Sequence, residues 1–464
     1  MPLRAYSWMV VIAFLCVFLL GTVFAVNCSH FIGVDNEYDI KRILVIGFIW
    51  FSALGLCFVK GVELVRVSTV SLLSLSLFFV LAIASAFASK HPFWGIVEIA
   101  NNGLLITAFY LFTISMKAIQ RDSLNFAVYV GILLFSILTL VKYILFLCFS
   151  YADAQSFDIH GLLSGYVNVR FFNQLQVMVV PLLLLPFFNQ HLAKFKRISM
   201  VMIALHWVVL LQTEARGAVL SLILALTILL YFVNAEARKK LVLLTLKTIL
   251  SGIVLWLVFI VIIPYWLING ANFQIRTSSS GRLDLWLYVL QSISDSPWLG
   301  FGPMSFSWAE GKPLPNAHPH NSVIQLLYEY GIISCIVMIG WVMSHVYYRL
   351  RYLSQDTCLS QDTYLSQYTA TAAIPVTYAL LSGLFYSLFS GVMVMPFAQL
   401  MLVFVIAMQV QGNAFQFYKA GMWTKIILFL IASVMTLVLM NSYKNGELLP
   451  ALFPRVWLNG LIHY

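Results

Sequence analysis

Residues 248–267 read TILSGIVLWLVFIVIIPYWL, without one acidic or basic side chain. A helix rises about 1.5 Å per residue, so about 20 such residues cross a hydrocarbon core of about 30 Å. The run then opens into the longest polar stretch of the chain, residues 268–331: INGANFQIRTSSSGRLDLWLYVLQSISDSPWLGFGPMSFSWAEGKPLPNAHPHNSVIQLLYEYG. The contrast between the two decides the fold class. Lipid cannot satisfy free backbone N–H and C=O groups, so the apolar runs are expected to be helices. The polar stretch is expected to be an outer loop held over a site.

Apolar runs of this kind recur along the chain, at roughly 7–26, 43–60, 68–88, 94–116, 124–149, 172–189, 198–213, 217–233, 248–267, 321–348, 370–394, 397–417 and 422–441. They predict an all-α polytopic membrane protein with about 13 transmembrane helices and one large outer loop carrying amphipathic helices. The expected layout is 1–267 transmembrane helices, 268–320 outer catalytic loop, 321–441 further helices and 442–464 an outer tail. The first run reads as an uncleaved helix. Asn27 before Cys28 does not suit a lipoprotein cleavage site.

Composition agrees. Of 464 residues, 61% are hydrophobic and only 9% charged, with a mean hydropathy of +0.92. Soluble domains carry about 25% charged residues. The net charge of +10 has no basic-aromatic soluble domain to reside on, so no nucleic-acid partner is implied. Cys16, Cys28, Cys57, Cys148, Cys335 and Cys358 have no C-x-x-C spacing. They imply no metal site, no cofactor and no essential disulfide.

Lysine and arginine placement favours an inner N-terminus and an outer C-terminus. Lys60, Arg66, Lys117, Arg238, Lys239, Lys240, Lys419 and Lys425 fall on the inner side, and the 268–320 loop then faces outward. Lys41 and Arg42 run against this bias. Inside the spans, Glu98 and Lys142 are expected to pair, which would offset the cost of burying either alone. The 349–369 segment, with its LSQDTC-LSQDTY-LSQYT repeat, reads as a solvated connector.

Several outer residues are candidates for chemistry. Arg216, in Gln-Thr-Glu-Ala-Arg-Gly-Ala (212–218), presents a fork of donors that suits phosphate oxygens, or else anchors a short turn at the interface. Arg170 precedes Asn173, Gln174 and Gln176, amides that either hydrogen-bond a substrate or cap a solvated first turn. Arg276 lies nearby in the polar loop. Arg282 follows Ser-Ser-Ser-Gly and opens an amphipathic run through Leu285, Trp286 and Val289. It would sit at a helix N-terminus, where an anion is favoured, on a helix lying at the membrane surface. His318 and His320 flank Pro319, with Asn321 next. They suit a general base or plain interface positions; two histidines without another ligand at metal spacing make a poor metal site. The tail Phe453-Pro454-Arg455-Val456-Trp457 either packs over the site or rests on the interface.

In this order, Arg-Gly at a span junction, Gly-Arg…Ser-Pro-Trp-Leu-Gly-Phe-Gly, then His-Pro-His-Asn-Ser…Glu-Tyr-Gly resembles the O-antigen ligase and polymerase superfamily over roughly 165–335. Asn173-Gln174-Leu175-Gln176, Ser390-Gly391…Met395-Pro396-Phe397-Ala398-Gln399 and the Pro454-Arg455-Val456-Trp457 tail resemble its protein O-oligosaccharyltransferases, pilin-type enzymes above all. Val456 departs from the aromatic residue of that tail pattern. The resemblance implies a multi-pass protein of the bacterial inner membrane with its site facing the periplasm. It implies transfer of a glycan from an undecaprenyl-diphosphate carrier embedded in the membrane lipid to a periplasmic acceptor protein such as a pilin, with lipid A-core the alternative acceptor. Carried over, Arg170, Arg216 and Arg282 hold the diphosphate. His320 (or His318) deprotonates or positions the acceptor hydroxyl, and Gln174, Gln176 and Asn321 orient donor or acceptor. An O-antigen polymerase is a third reading. A transporter is disfavoured, because no chain of Asp, Glu and His reads as an ion relay through the spans.

Overall fold

The computed structural model describes residues 1–24, 34, 36–155, 159, 169–268, 281–359, 364–410, 416–443, 445–451 and 454–462. The chain is an all-α bundle. In order it runs through α1 (Leu3–Val23), α2 (Glu37–Leu56), β1 (Glu63–Val65), α3 (Thr69–Ala88), α4 (Pro92–Ala118) and α5 (Arg121–Ala152). Then come α6 (Val169–Leu182), α7 (Leu185–Phe188), α8 (Lys196–Gln212), α9 (Arg216–Phe232), α10 (Ala235–Trp256) and α11 (Ile263–Ile268). The rest is α12 (Arg282–Ser292), α13 (Ser322–Leu359), α14 (Tyr364–Tyr386), α15 (Pro396–Gln409), β2 (Phe417–Lys419), α16 (Met422–Asn441), β3 (Leu448–Pro450) and β4 (Asn459–Ile462). Among the described residues, nine helical spans are long and apolar enough to cross a membrane, and α9, the 371–386 part of α14 and α15 are shorter apolar helices. The charged α2 also runs through the bundle.

Burial separates the centre of the bundle from its rim. The Val169–Phe188 span is 94% buried, whereas the Ala235–Leu267 span is only 11% buried and leaves most of its apolar surface uncovered. Within the latter, Leu257–Ile262 widens into a π-turn just before Pro264. Proline removes one intrahelical donor and crowds the preceding turn, and a wider turn absorbs both defects. The central α6 packs on α14, α14 on α9, and α4 on α1, α15 and α16. Pro181 breaks the α6 ladder, and Leu184 N–H closes back on Pro181 O at 3.0 Å before α7.

The two ends of the bundle differ. At one end β1 pairs antiparallel with β2. Lys425 donates to Val59 O there, and Lys117 lies over Phe417. At the other end lie the 293–321 loop, the 89–91 turn, the start of α15 and the β3–β4 tail.

Buried charge at that second end corrects one expectation and accounts for one exception. Glu98 does not pair with Lys142. Its carboxylate lies 3.3 Å from Arg455 Nη2, on the tail, and the carboxylate within electrostatic reach of Lys142 is Glu37. Arg42, which runs against the charge bias, belongs to the interior. It is 1% exposed, and its guanidinium donates to Val456 O (3.0 Å), Asn101 Oδ1 (2.9 Å), Gln399 Oε1 (2.8 Å) and Val394 O (2.6 Å). A buried cation is tolerable only with such a full set of acceptors. Tail burial also decides between the two readings of Pro454-Arg455-Val456-Trp457. The segment is inside the protein, with Arg455 wholly buried and Trp457 Nε1 donating to Ser442 Oγ at 2.8 Å.

Candidate functional site

The site is assembled on a broken helix. Gly331 interrupts α13 with φ 77° and ψ 178°, a conformation essentially restricted to glycine. The Pro-Trp-Leu-Gly-Phe-Gly stretch straps across the break. Ile332 N–H donates to Pro297 O (2.8 Å), Phe301 N–H to Tyr328 O (2.9 Å) and Gly302 N–H to Glu329 O (3.0 Å). The backbone groups freed by the break are therefore paired rather than stranded. The strap needs close approach: a Cβ on Gly300 would lie 2.6 Å from both Gly331 N and Tyr328 O. Two motifs thirty residues apart in sequence are thus one structural device, which fixes the first turns of α13.

Those turns fix the histidines. Asn321 Oδ1 accepts the N–H groups of Val323 (2.9 Å) and Ile324 (3.1 Å), a helix N-cap. Ser322 reaches Ser387 O through both N–H and hydroxyl, tying α13 to the turn after α14. Just before the cap, His318 and His320 lie with ring centroids 4.3 Å apart, nearly perpendicular. His320 takes φ 57°, the left-handed region, which turns its ring back toward His318. The His320 N–H donates to His318 Nδ1 at 3.2 Å, so a neutral His318 carries its proton on Nε2. Asn316 Nδ2 lies 3.2 Å from His320 Nε2 and sets that ring. Gly391 lies against the His318 ring so closely that a Cβ there would come 2.6 Å from Cε1. Trp286 Nε1 donates to Pro319 O at 2.9 Å, joining α12 to the same segment. Lys312 Nζ donates to Phe306 O (3.0 Å), Ser307 O (2.6 Å) and Asn316 O (2.8 Å), closing the loop behind Asn316. Burial, with Arg455 adding, lowers the Lys312 ammonium to about 8.

The arginines share a structural position. Arg282 is the first residue of α12, Arg216 the first of α9, and Arg170 the second of α6. For Arg282 and Arg216, which follow the caps Gly281 and Ala215, that position is a helix N-terminus, where the dipole favours an anion. Arg170 and Arg216 both lie within electrostatic reach of Arg282. Burial chiefly, then repulsion from Arg170 and Arg216, lowers the Arg282 pKa. Tyr386 is in the field of Arg170 and Arg282 and hydrogen-bonds Ser390, which in turn accepts from Gln174 Nε2 at 2.9 Å. His320 feels the same pair: burial first, then Arg282 and Arg170, holds it neutral, with a pKa of about 3. His318 is pushed well below the ordinary range by burial, then by His320, Arg455 and Arg282. Arg170, Arg216, Arg282, His318, His320 and Gln174 are therefore one neighbourhood. Arg276 lies outside the described residues.

The amides of α6 divide. Asn173, Gln174 and Gln176 are all fully buried, which removes the solvated-cap reading. Gln174 turns toward Ser390 and the site. Gln176 turns into the bundle, where its Nε2 meets His206 Nδ1 (3.1 Å) and O (3.0 Å) and its Oε1 accepts from Asn173 Nδ2 (3.0 Å). Gln176 therefore braces α6 against α8, and Asn321 Oδ1 caps α13. The helix α12 also differs in part from a surface helix: Leu285 and Val289 are buried against Phe306 and Tyr328, while Leu283, Leu287 and Leu290 stay exposed. Sequence reasoning missed Asn316, Lys312 and Tyr386. Only Asn316, four residues before His320, left a signal worth following. Among the described residues no group of three or more His, Cys, Asp or Glu is placed to hold a metal ion.

No curated protein matches the chain. Residues 200–339, which carry Arg216, Arg282, both histidines and the Gly331 break, match the family model described as O-antigen ligase. That match supports a membrane transferase acting on O-antigen-like glycans, and over residues 200–339, from α8 into α13, the chain is similar to the O-antigen ligase family.

Proposed function

We propose that this chain moves an oligosaccharide en bloc from undecaprenyl diphosphate to a Ser or Thr hydroxyl of a periplasmic protein such as a pilin. The observation that carries the reading is the gathering of Arg170 and Arg216 around Arg282, with Arg216 and Arg282 each opening a helix and with Arg282 and Arg170 acting on His320. Guanidinium groups and helix N-termini both suit a diphosphate, whose charge grows as it leaves. His320 takes up or positions the proton of the attacking hydroxyl, on a ring held by Asn316. His318 supports the His320 backbone, and Gln174, through Ser390, faces the donor. A single displacement at the anomeric carbon inverts its configuration. Lys60, Arg66, Lys117, Lys419 and Lys425 cluster at the opposite end of the bundle, and the tendency of basic residues to stay on the inner side supports a site that faces the periplasm. The family match also favours a second acceptor, lipid A-core, with the same donor chemistry.

Intact masses of periplasmic and pilin proteins, taken with and without the gene in cells making a lipid-linked glycan, test the acceptor. A glycan-sized gain on a protein is the expected result. A gene-dependent lipopolysaccharide ladder with unmodified proteins would move the acceptor to lipid A-core.

Donor binding also sets the strength of the base. Arg282 and Arg170 help hold His320 at about 3 in the empty site, and a bound diphosphate offsets both charges. The His320 pKa then rises toward its ordinary value of about 6.5. The acid limb of kcat, which reports the complex, is expected at higher pH than that of kcat/KM, which reports the free enzyme. Identical limbs would refute this coupling. The stability effect has the opposite sense. The folded pKa lies below the unfolded one, so the neutral ring's contribution is complete above about 6.5 and is lost as pH falls toward 3.

A further inference from the structure

We propose that the C-terminal tail is a brace built into the back of the histidine segment, with Arg455 as its positioning residue. The inference rests on the reading of His320 as the base, but the brace itself is a matter of geometry. Arg455 is wholly buried, and its Nη2 lies 2.9 Å from Glu329 Oε2 and 3.3 Å from Glu98 Oε1. Those carboxylates come from different helices: Glu329 is two residues before the Gly331 break in α13, and Glu98 is in α4. Glu329 is also the residue whose carbonyl receives the strap through Gly302 N–H, and its carboxylate accepts from Gln325 Nε2 at 3.2 Å. One guanidinium thus fastens the tail to the helix that the histidines precede.

The tail is fixed on its other side by contacts that do not involve Arg455's charge. Tyr38 OH donates to Arg455 O (2.6 Å), Arg42 Nε to Val456 O (3.0 Å), and Leu458 N–H to Asp39 Oδ1 (2.7 Å). The following turn then meets the loop directly. A Cβ on Gly460 would lie 3.4 Å from Ala317 Cβ, and Ala317 immediately precedes His318. β4 packs on residues 305–308, and Ser307 Oγ donates to Ala317 O at 3.2 Å. The brace therefore runs from α2 through the tail to Ala317 on one path, and through Arg455 to Glu329 and α13 on the other. These two paths meet at His318–His320. Buried carboxylates on two helices with one shared cation make that arrangement intolerant of displacement. Arg455 touches neither reacting group, so it acts through position alone.

The test uses the full chain in lipid nanodiscs, with R455Q, R455K and E329Q. Amide exchange over residues 312–321 is read beside transfer kinetics, and residues 282–292 serve as an internal control. For folded R455Q, exchange over 312–321 is expected to rise about ten-fold and kcat to fall about 10- to 100-fold, with donor KM within about two-fold, since a small misplacement of a reacting group costs rate of this order. R455K, which keeps the charge, should recover most of the kcat. E329Q leaves Arg455 and Glu98 as a single ion pair, so it keeps the fold even where R455Q does not, and should change exchange and kcat in the same direction. Wild-type exchange over 312–321 together with wild-type kcat in folded R455Q or E329Q would overturn the brace. A wild-type rate in H320N would instead remove the catalytic reading of His320 and leave the exchange result standing.

Discussion

Replacing His320 with asparagine is expected to lower kcat for glycan transfer by about 10²- to 10⁴-fold, the range that a positioned general base supplies. Asparagine is the informative substitution. His320 sits at φ 57°, where an alanine would be strained, and Asn tolerates that region better than other residues. It also keeps a polar side chain near Asn316. A large loss in H320N therefore reports the missing proton acceptor, not a collapsed loop. Donor KM should change little, because the proposed diphosphate contacts are Arg170, Arg216 and Arg282 and not His320. The measurement is single-turnover transfer from a lipid-linked glycan, and turnover within about three-fold of wild type would be too fast for a lost general base.

His318 should behave differently, and the difference separates the two rings. Its Nδ1 accepts the His320 N–H, so its loss strands a buried donor at the left-handed residue. A stranded donor costs about 1–3 kcal/mol. H318A should therefore lose stability as well as rate, while H320N loses chiefly rate. Gly391 reinforces the point, since its missing Cβ is what admits the His318 ring.

How much of this was legible in the sequence follows from the range of the forces involved. The spans were readable because each is a local run that needs only its own composition to be recognised. The arginines and histidines of the site were readable as candidates because polar groups stand out in a chain with 9% charged residues. Their partners were not. Glu98 was matched with Lys142, on the neighbouring helix, when its cation is Arg455, far along the chain in the tail. Lys41 and Arg42 ran against the charge bias because Arg42 is held by carbonyls and amides from residues 101, 394, 399 and 456, which no local pattern discloses. Gln174 and Gln176 lie two residues apart, so a helix sends them in different directions, one to Ser390 and the other to His206. Sequence proximity made them look like one group; helical geometry divides them.

The same reasoning makes Gly331→Ala a severely damaging substitution at the end of the bundle that carries the site. At φ 77° and ψ 178° a side chain is strained by about 1–3 kcal/mol before any contact is counted. A Cβ would also stand 2.3 Å from Trp298 O and 2.8 Å from Gly300 N, both backbone atoms of the strap. Neither can move aside alone. Pro297 O is bound to Ile332 N–H, and the next strap residues are bound to Tyr328 O and Glu329 O. The strap must therefore lift, which strands several buried backbone groups together, and the total loss is expected at about 3–5 kcal/mol. A thermal unfolding series in detergent, read beside proteolysis of the 293–311 loop, measures it. If helix propensity governed instead, alanine would straighten α13 and raise the melting temperature, because glycine costs a helix about 1 kcal/mol relative to alanine. The signs are opposite, so one melting curve decides whether the break at Gly331 is a defect of the helix or the seat on which the histidine loop is built.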